Sequence, residues 1–154
     1  MADFVHLHVH SDFSLLDGLG KVQDLALAAA EMGMPALALT DHGVMFGALH
    51  FYRAAKKAGI KPIIGCEIYI SPRRMHQKDA RRDARSNHLI LLAENQIGYQ
   101  NLMQIATTAQ LEGFYYKPRV DKEYLAAHAE GLIALSSCGS GEIPRLLRAN
   151  RPQA

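Results

Sequence analysis

The residues best equipped for chemistry stand at the ends of short apolar runs. His8 and His10 close the stretch Phe4–His10, where Val5, Leu7 and Val9 alternate with Phe4, His6, His8 and His10. In an extended strand, residues two apart share a face and lie roughly 6–7 Å apart at a rise of about 3.3 Å per residue. Two imidazoles so placed can lean toward one cation at nitrogen–metal distances of about 2 Å. Asp41 and His42 close a second run, in Thr40-Asp41-His42-Gly43, Glu67 lies in the latter half of a third, and Cys138 follows a later one. Imidazole, carboxylate and thiolate together form the donor set of a transition-metal site. Each residue also has an ordinary reading. Strand histidines can be satisfied core residues, and an Asp at a strand–helix turn is often an N-cap. Glu67 is harder to place in that way, because a buried carboxylate without a partner is strongly unfavourable. Taken jointly, the residues point to a metal site.

The elements that must position these residues follow from periodicity. Alternation makes Phe4–His10 a strand. Val22–Met32 is a helix stopped by Gly33, Pro35–Thr40 a short strand, and Met45–Ala58 a helix stopped by Gly59. Lys61–Ile70 is a third strand, Ser71–Asn87 a polar loop, His88–Ala93 a fourth strand and Ile97–Leu111 a third helix. After the irregular segment 114–119, Asp121 is placed to cap a short helix reaching about His128. Gly131–Ser137 is a fifth strand, and Gly141–Leu147 begins another helix. Strands alternating with helices imply an α/β fold of parallel strands covered by helices. In such folds the carboxyl ends of the strands gather on one side, where sites form. His88 fits this less well, because it begins an apolar run. Open-sheet and barrel folds both start in this way, and periodicity does not choose between them.

Composition narrows the function classes. The chain has 154 residues, 49% of them hydrophobic, enough for one core. Seventeen Lys and Arg against fifteen Asp and Glu leave +2, far from the excess of a dedicated nucleic-acid binder. The charge run from Arg73 to Arg85 reads as a solvated loop, with a phosphate-backbone contact as the sharper alternative. Two cysteines fit reduced thiols in a cytoplasmic protein. No apolar stretch approaches the roughly 18 residues of a membrane span, and the opening Met-Ala-Asp-Phe-Val-His lacks the features of a secretory signal. His50, His76 and His128 read as ordinary helix or loop residues, Cys66 as a small core hydrophobe, and His6 as a residue that packs or orients a ligand.

The stretch from His6 to Gly18 (His-Leu-His-Val-His-Ser-Asp-Phe-Ser-Leu-Leu-Asp-Gly) resembles the first motif of PHP (polymerase and histidinol phosphatase) domains, in the version that opens bacterial DNA polymerase III alpha subunits. Thr40-Asp41-His42-Gly43 resembles the second motif. Segments 59–67, 98–102, 112–119 and 130–144 are similar as well, so the resemblance covers almost the whole chain. The Phe-Val-His-Leu-His opening and the Tyr-Lys-Pro-Arg segment favour the replicative polymerase over stand-alone phosphatases of the family. The resemblance implies a distorted (βα)7 barrel with a cluster of metal ions held by His8, His10, Asp17, His42, Glu67, His88 and Cys138. Glu67 would bridge, and Asp41 would orient His42 or a neighbour. Zn²⁺ suits this set best, with Mn²⁺ and Fe²⁺ as alternatives.

The family also closes its site with a late Asp-x-His pair, which is absent here after Cys138. The chain therefore reads as the amino-terminal portion of a PHP domain, with about five of seven βα units. The polymerase palm with its catalytic aspartates, where Mg²⁺ would act, is missing. On this resemblance the parent is a DNA-directed DNA polymerase with DNA, the proofreading exonuclease, the sliding clamp and other polymerase III subunits as partners. The domain would serve as a metal-dependent 3′–5′ exonuclease or as a scaffold for the proofreading subunit. Two alternatives remain: a stand-alone phosphoesterase akin to histidinol phosphatase, and an amidohydrolase barrel, which also begins with His-x-His.

Overall fold

A computed structural model describes residues 4–15 and 17–151. Leu16 of the first motif, Met1–Asp3 of the opening and Pro152–Ala154 lie outside the described residues. The elements run α1 (Val22–Glu31), β1 (Ala36–Leu39), α2 (Ala48–Lys57), β2 (Lys61–Ile70), β3 (Asn87–Ala93), α3 (Gln96–Leu111), β4 (Arg119–Val120), α4 (Lys122–Ala127), β5 (Leu132–Leu135) and α5 (Glu142–Arg148). Asn95 caps α3 by accepting from Gly98 N at 3.0 Å, and Asp121 caps α4 by accepting from Tyr124 N at 2.8 Å.

β2 is the spine of a five-stranded sheet with the path β1-β2-β3-β5. β1 lies parallel to its first half, from Ala36 beside Lys61 to Leu39 beside Ile64, and β4 lies parallel to its last residues, Tyr69 and Ile70. β3 runs antiparallel along the other edge, and β5 runs antiparallel to β3. The expected all-parallel sheet is thus corrected at β3. The reason lies in the connection: residues 71–86 form no helix, and this loop returns the chain from the same end of β2 that it left. A parallel neighbour needs a crossover that carries the chain back to the other end.

The expected first strand is also corrected. Residues 4–10 run beside β1 through Ala38 N to His6 O (3.0 Å) and Thr40 N to Val9 O (2.8 Å), without forming a regular ladder. The Thr40 hydroxyl takes the place of backbone there, accepting from Val9 N at 3.0 Å and donating to Val9 O at 3.1 Å. The alternation of side chains nevertheless survives at its end, where Val9 packs against the core and His8 and His10 both reach Glu67.

Strand parity sets two faces. Leu37 and Leu39 of β1 pack with Val22, Ala26, Phe51 and Ala55 under α1 and α2. Cys66, Ile68 and Leu91 pack with Leu102, Ile105 and Ala109 of α3. Each large side chain fully buried there contributes about 1.5–3 kcal/mol. The opposite, inner face carries Ala38, Ile63, Ile90, Leu92 and Leu135, and it is the face on which Glu67 lies.

Candidate metal centre

The antiparallel course of β3 explains His88. Tyr69 pairs with His88 and Ile70 with Asn87, so the beginning of β3 lies beside the end of β2. His88 therefore stands at the same rim as the residues that close the parallel strands. Glu67 is fully buried on the inner face. Its backbone continues the β1 edge, with Glu67 N donating to Asp41 O (3.1 Å) and Gly43 N donating to Glu67 O (2.9 Å), which brings His42 alongside.

Five side chains converge on the Glu67 carboxylate. One oxygen lies 3.0 Å from His8 Nε2, 2.8 Å from His10 Nε2 and 3.3 Å from His42 Nδ1. The other lies 2.9 Å from His88 Nδ1 and accepts from the Ser137 hydroxyl at 2.5 Å. His42 Nε2 is 2.9 Å from Asp17, whose carboxylate is also 3.6 Å from His10 Nδ1. Three sets of ligand atoms each lie within 4.8 Å of one another: His8–His10–Glu67, His10–Asp17–His42 and His42–Glu67–His88. The sets share His10, His42 and Glu67, the arrangement expected where neighbouring ions have ligands in common.

Two observations test whether these residues fit a metal. His42 Nδ1 is buried without a hydrogen-bond partner. With Nε2–H given to Asp17, its lone pair faces a carboxylate oxygen only 3.3 Å away, a repulsion that a cation would relieve. Likewise, His8 Nε2 and His10 Nε2 are 3.1 Å apart and both address one oxygen. The donor set fits divalent transition metals.

Electrostatics agree with this. Burial pushes the Glu67 carboxyl up, but hydrogen bonds from His10, His88, Ser137 and His8 overcome it and hold the group well below the usual carboxylate range. The hydrogen bond to Glu67 raises His10 above its ordinary value, against burial. Burial, followed by the charge of His10, lowers His42, which keeps the neutral form that can ligate. Burial and then the charge of Glu67 push the Tyr69 phenol up to about 12.

Asp41 is buried and builds the loop that carries Asp17. It accepts from Ser11 N (2.7 Å), Ser11 Oγ (2.8 Å) and Ser14 Oγ (2.8 Å), while Ser14 Oγ accepts from His42 N (3.1 Å). Gly18 closes this loop against the Ser11 carbonyl, where a Cβ would collide. Gly43 adopts a φ of +62° and leaves room for the Tyr69 ring and Pro118. Ser11, Ser14 and Ser137 are participants that residue types and spacing did not single out. The available signal was position, since each sits beside a candidate ligand at the same rim.

A family model for the PHP domain matches residues 6–154. The chain belongs to the PHP domain family. The DNA polymerase III subunit alpha of Treponema pallidum is 56% identical over 96% of the chain, and that of Thermus aquaticus 51% identical over 96%. The chain spans only 13% and 12% of those two proteins. Among solved structures, an amidohydrolase from Chromobacterium violaceum with bound sulfate and no metal matches 69% of the chain, and the match covers 33% of that protein, with a TM-score of 0.51 and 24% identity. A protein from Bifidobacterium adolescentis, assigned as a metal-dependent phosphoesterase, matches 71% of the chain and 34% of its own, with a TM-score of 0.51 and 20% identity. These two likenesses show the fold: a mixed α/β architecture of the PHP and amidohydrolase barrel type.

Within the PHP domain, the structure brings His8, His10, Asp17, His42, Glu67 and His88 together and leaves Cys138 outside the three sets. Cys138 is exposed, and its sulfur accepts from Ser140 N at 3.5 Å. His6 packs edge-on against Phe4, His50 stacks on Phe13, and His128 stacks on Tyr124. Cys66 is a buried thiol, pushed up to about 12 by burial and then by the charge of Asp41. Among the described residues no helix is long and apolar enough to cross a membrane.

Proposed function

We propose that this PHP domain is the amino-terminal part of a replicative DNA polymerase alpha subunit, and that its metal centre hydrolyses the 3′-terminal phosphodiester of a DNA strand. The observation that carries this reading is the fully buried Glu67 carboxylate, shared by His8, His10, His42 and His88 at one rim of the sheet. His8, His10, Asp17, His42, Glu67 and His88 would hold the ions, with Glu67 shared between them. Cys138 is part of the proposed set on the family resemblance alone, since it is exposed and lies outside the three sets. Zn²⁺ suits these donors best, with Mn²⁺ and Fe²⁺ next. Bound divalent ions supply Lewis-acid activation of water and of the phosphoryl oxygens.

The chain's own residues prepare the site for that chemistry. Asp17 fixes the tautomer of His42, so that Nδ1 presents its lone pair inward. Burial of the Glu67 carboxylate strengthens its charge interactions with the surrounding imidazoles. Identities of 56% and 51% to polymerase alpha subunits favour a polymerase parent over a stand-alone phosphoesterase. The proofreading exonuclease, the sliding clamp and DNA are the proposed partners of that parent, acting in the cytoplasm.

The test is release of labelled nucleotide from a 3′-labelled primer by the full-length protein, with metal content measured in parallel by elemental analysis. Wild-type protein is expected to carry more than one transition-metal ion per chain. Glu67→Ala should lower that number most, and His10→Ala and Asp17→Ala should abolish release. Full metal occupancy without nucleotide release would overturn the hydrolytic role and leave a scaffold for the proofreading subunit.

A further inference from the structure

A cavity of about 390 Å³ opens beside the metal centre. It lies within the range of small-ligand sites, about 300–1,000 Å³. Asp17, His42 and His88 lie on its metal-centre side, and the remaining lining is mainly apolar, with Phe13, Val44, Phe46 and Pro118 beside the polar Gln110. Phe46 is 70% exposed, so its ring is free to meet a ligand in the cavity that it lines. At the boundary between the two walls, Lys117 places its ammonium 5.5 Å from the centre of the Tyr69 ring. Like most described lysines and arginines, Lys117 forms no ion pair among the described residues, but it is the lysine that lines this cavity.

The backbone around Lys117 is built to hold it there. Tyr116 takes a φ of +58°, a left-handed conformation that a bulky residue adopts only where its surroundings impose it. Tyr115 N donates to Lys117 O at 3.0 Å, Pro118 packs against Gly43, and Arg119 is buried. An ammonium without a carboxylate partner among the described residues thus stands beside the metal wall, over the Tyr69 ring that also contacts His42 and His88, with the apolar wall next to it.

We infer that this cavity receives the terminal nucleotide of a DNA strand, with Lys117 pairing with its phosphate and Phe13 and Phe46 receiving its base. The inference rests on the hydrolytic reading above and specifies the substrate of that site. Rings that stack on a base read its π-face rather than its edge, so the subsite accepts all bases. A simple phosphate monoester would use Lys117 and the metal centre, and the aromatic wall would add nothing.

The test is equilibrium binding to metal-loaded full-length protein of the four deoxynucleoside 5′-monophosphates, deoxyribose 5-phosphate and inorganic phosphate. The nucleotides are expected to bind about tenfold more tightly than deoxyribose 5-phosphate, and within a few-fold of one another. Phe46→Ala should erase the advantage of the base. Lys117→Gln should weaken every phosphate compound about five- to tenfold and raise KM for primer, with metal content unchanged. Equal binding of nucleotide and deoxyribose 5-phosphate by the wild type would overturn the inference, as would unchanged affinities in Lys117→Gln. Binding is read without turnover, so the two readings fail separately. Nucleotide binding without primer hydrolysis overturns hydrolysis alone, and hydrolysis with unaltered KM in both variants overturns the subsite alone.

Discussion

At the scale of single residues, the organisation of the site depends on carboxylates with different tasks. Glu67 faces the imidazoles, whereas Asp41 faces away from them and holds the loop of Ser11 and Ser14 through three hydrogen bonds. Removing Asp41 leaves a buried backbone N–H and two hydroxyls without their acceptor, and hydrogen bonds to a charged group are the stronger kind. Asp41→Ala is expected to lower unfolding free energy by about 2–4 kcal/mol in denaturant titration. It should also release metal, because the same loop carries Asp17. An unchanged midpoint would show that the loop is held by other contacts. The sequence made the ligand-type residues legible because histidine pairs and a carboxylate in an apolar strand are chemically conspicuous. Serine is not, and nothing in the spacing of Ser11, Ser14 and Ser137 distinguishes a hydroxyl aimed at a carboxylate from one facing water.

At the scale of elements, helices and central strands were readable because 3.6- and 2-residue periods are local properties. Strand direction is not local. It depended on residues 71–86, whose charges signalled only a loop. That loop is more ordered than a solvated charge run. Arg73 donates twice to Asp83, at 2.9 and 2.6 Å. The buried Arg119 guanidinium donates to the carbonyls of Gly113, Asp83, Met75 and Gln77. The two-residue strand that bears Arg119 is too short for any periodicity to show, yet it ties the loop to β2. Arg119→Met keeps the side chain's bulk but leaves those carbonyls unsatisfied. The loop should then be cut by protease about tenfold faster or more, since about 1.4 kcal/mol of easier local opening is a tenfold effect. Equal cleavage rates would place the loop's anchor elsewhere. The Arg73–Asp83 pair adds a pH dependence. Its hydrogen bonds lower Asp83 below its ordinary 3.8, against burial, so its stabilisation is complete above that value and is lost as pH falls through the lower folded value. Amide exchange across Arg73–Arg85 should accelerate in acid below about pH 4, and a uniform profile would exclude this pair as the cause.

At the scale of the whole molecule, the fold class was legible but barrel closure was not, because closure is a relation between distant strands. The described sheet carries an outer face covered except at β5, where Ala134 is exposed, and an inner face only partly covered. Ile133, on the inner face of β5, is 46% exposed, and Phe4 is 56% exposed. Ile143 and Leu147 of α5 are 58% and 60% exposed. β5 pairs with β3 on one side and has no strand on the other among the described residues. An open strand edge next to exposed aliphatic side chains is a site for further strands or for aggregation. The chain spans 13% of the Treponema pallidum relative, so such strands are proposed to follow in the parent. A chain extended through the rest of the domain should cover Ile133 and pair β5. Covering a side chain of that size contributes about 1.5–3 kcal/mol, and pairing an edge adds further hydrogen bonds. The extended chain is therefore expected to melt several degrees higher and more cooperatively than residues 1–154, and to bind metal more tightly because the rim is then closed on all sides. Thermal denaturation and metal titration of the two chains side by side decide the matter: equal melting temperatures and equal metal affinity would mean that the 154-residue unit is complete in itself and that the exposed face serves another purpose.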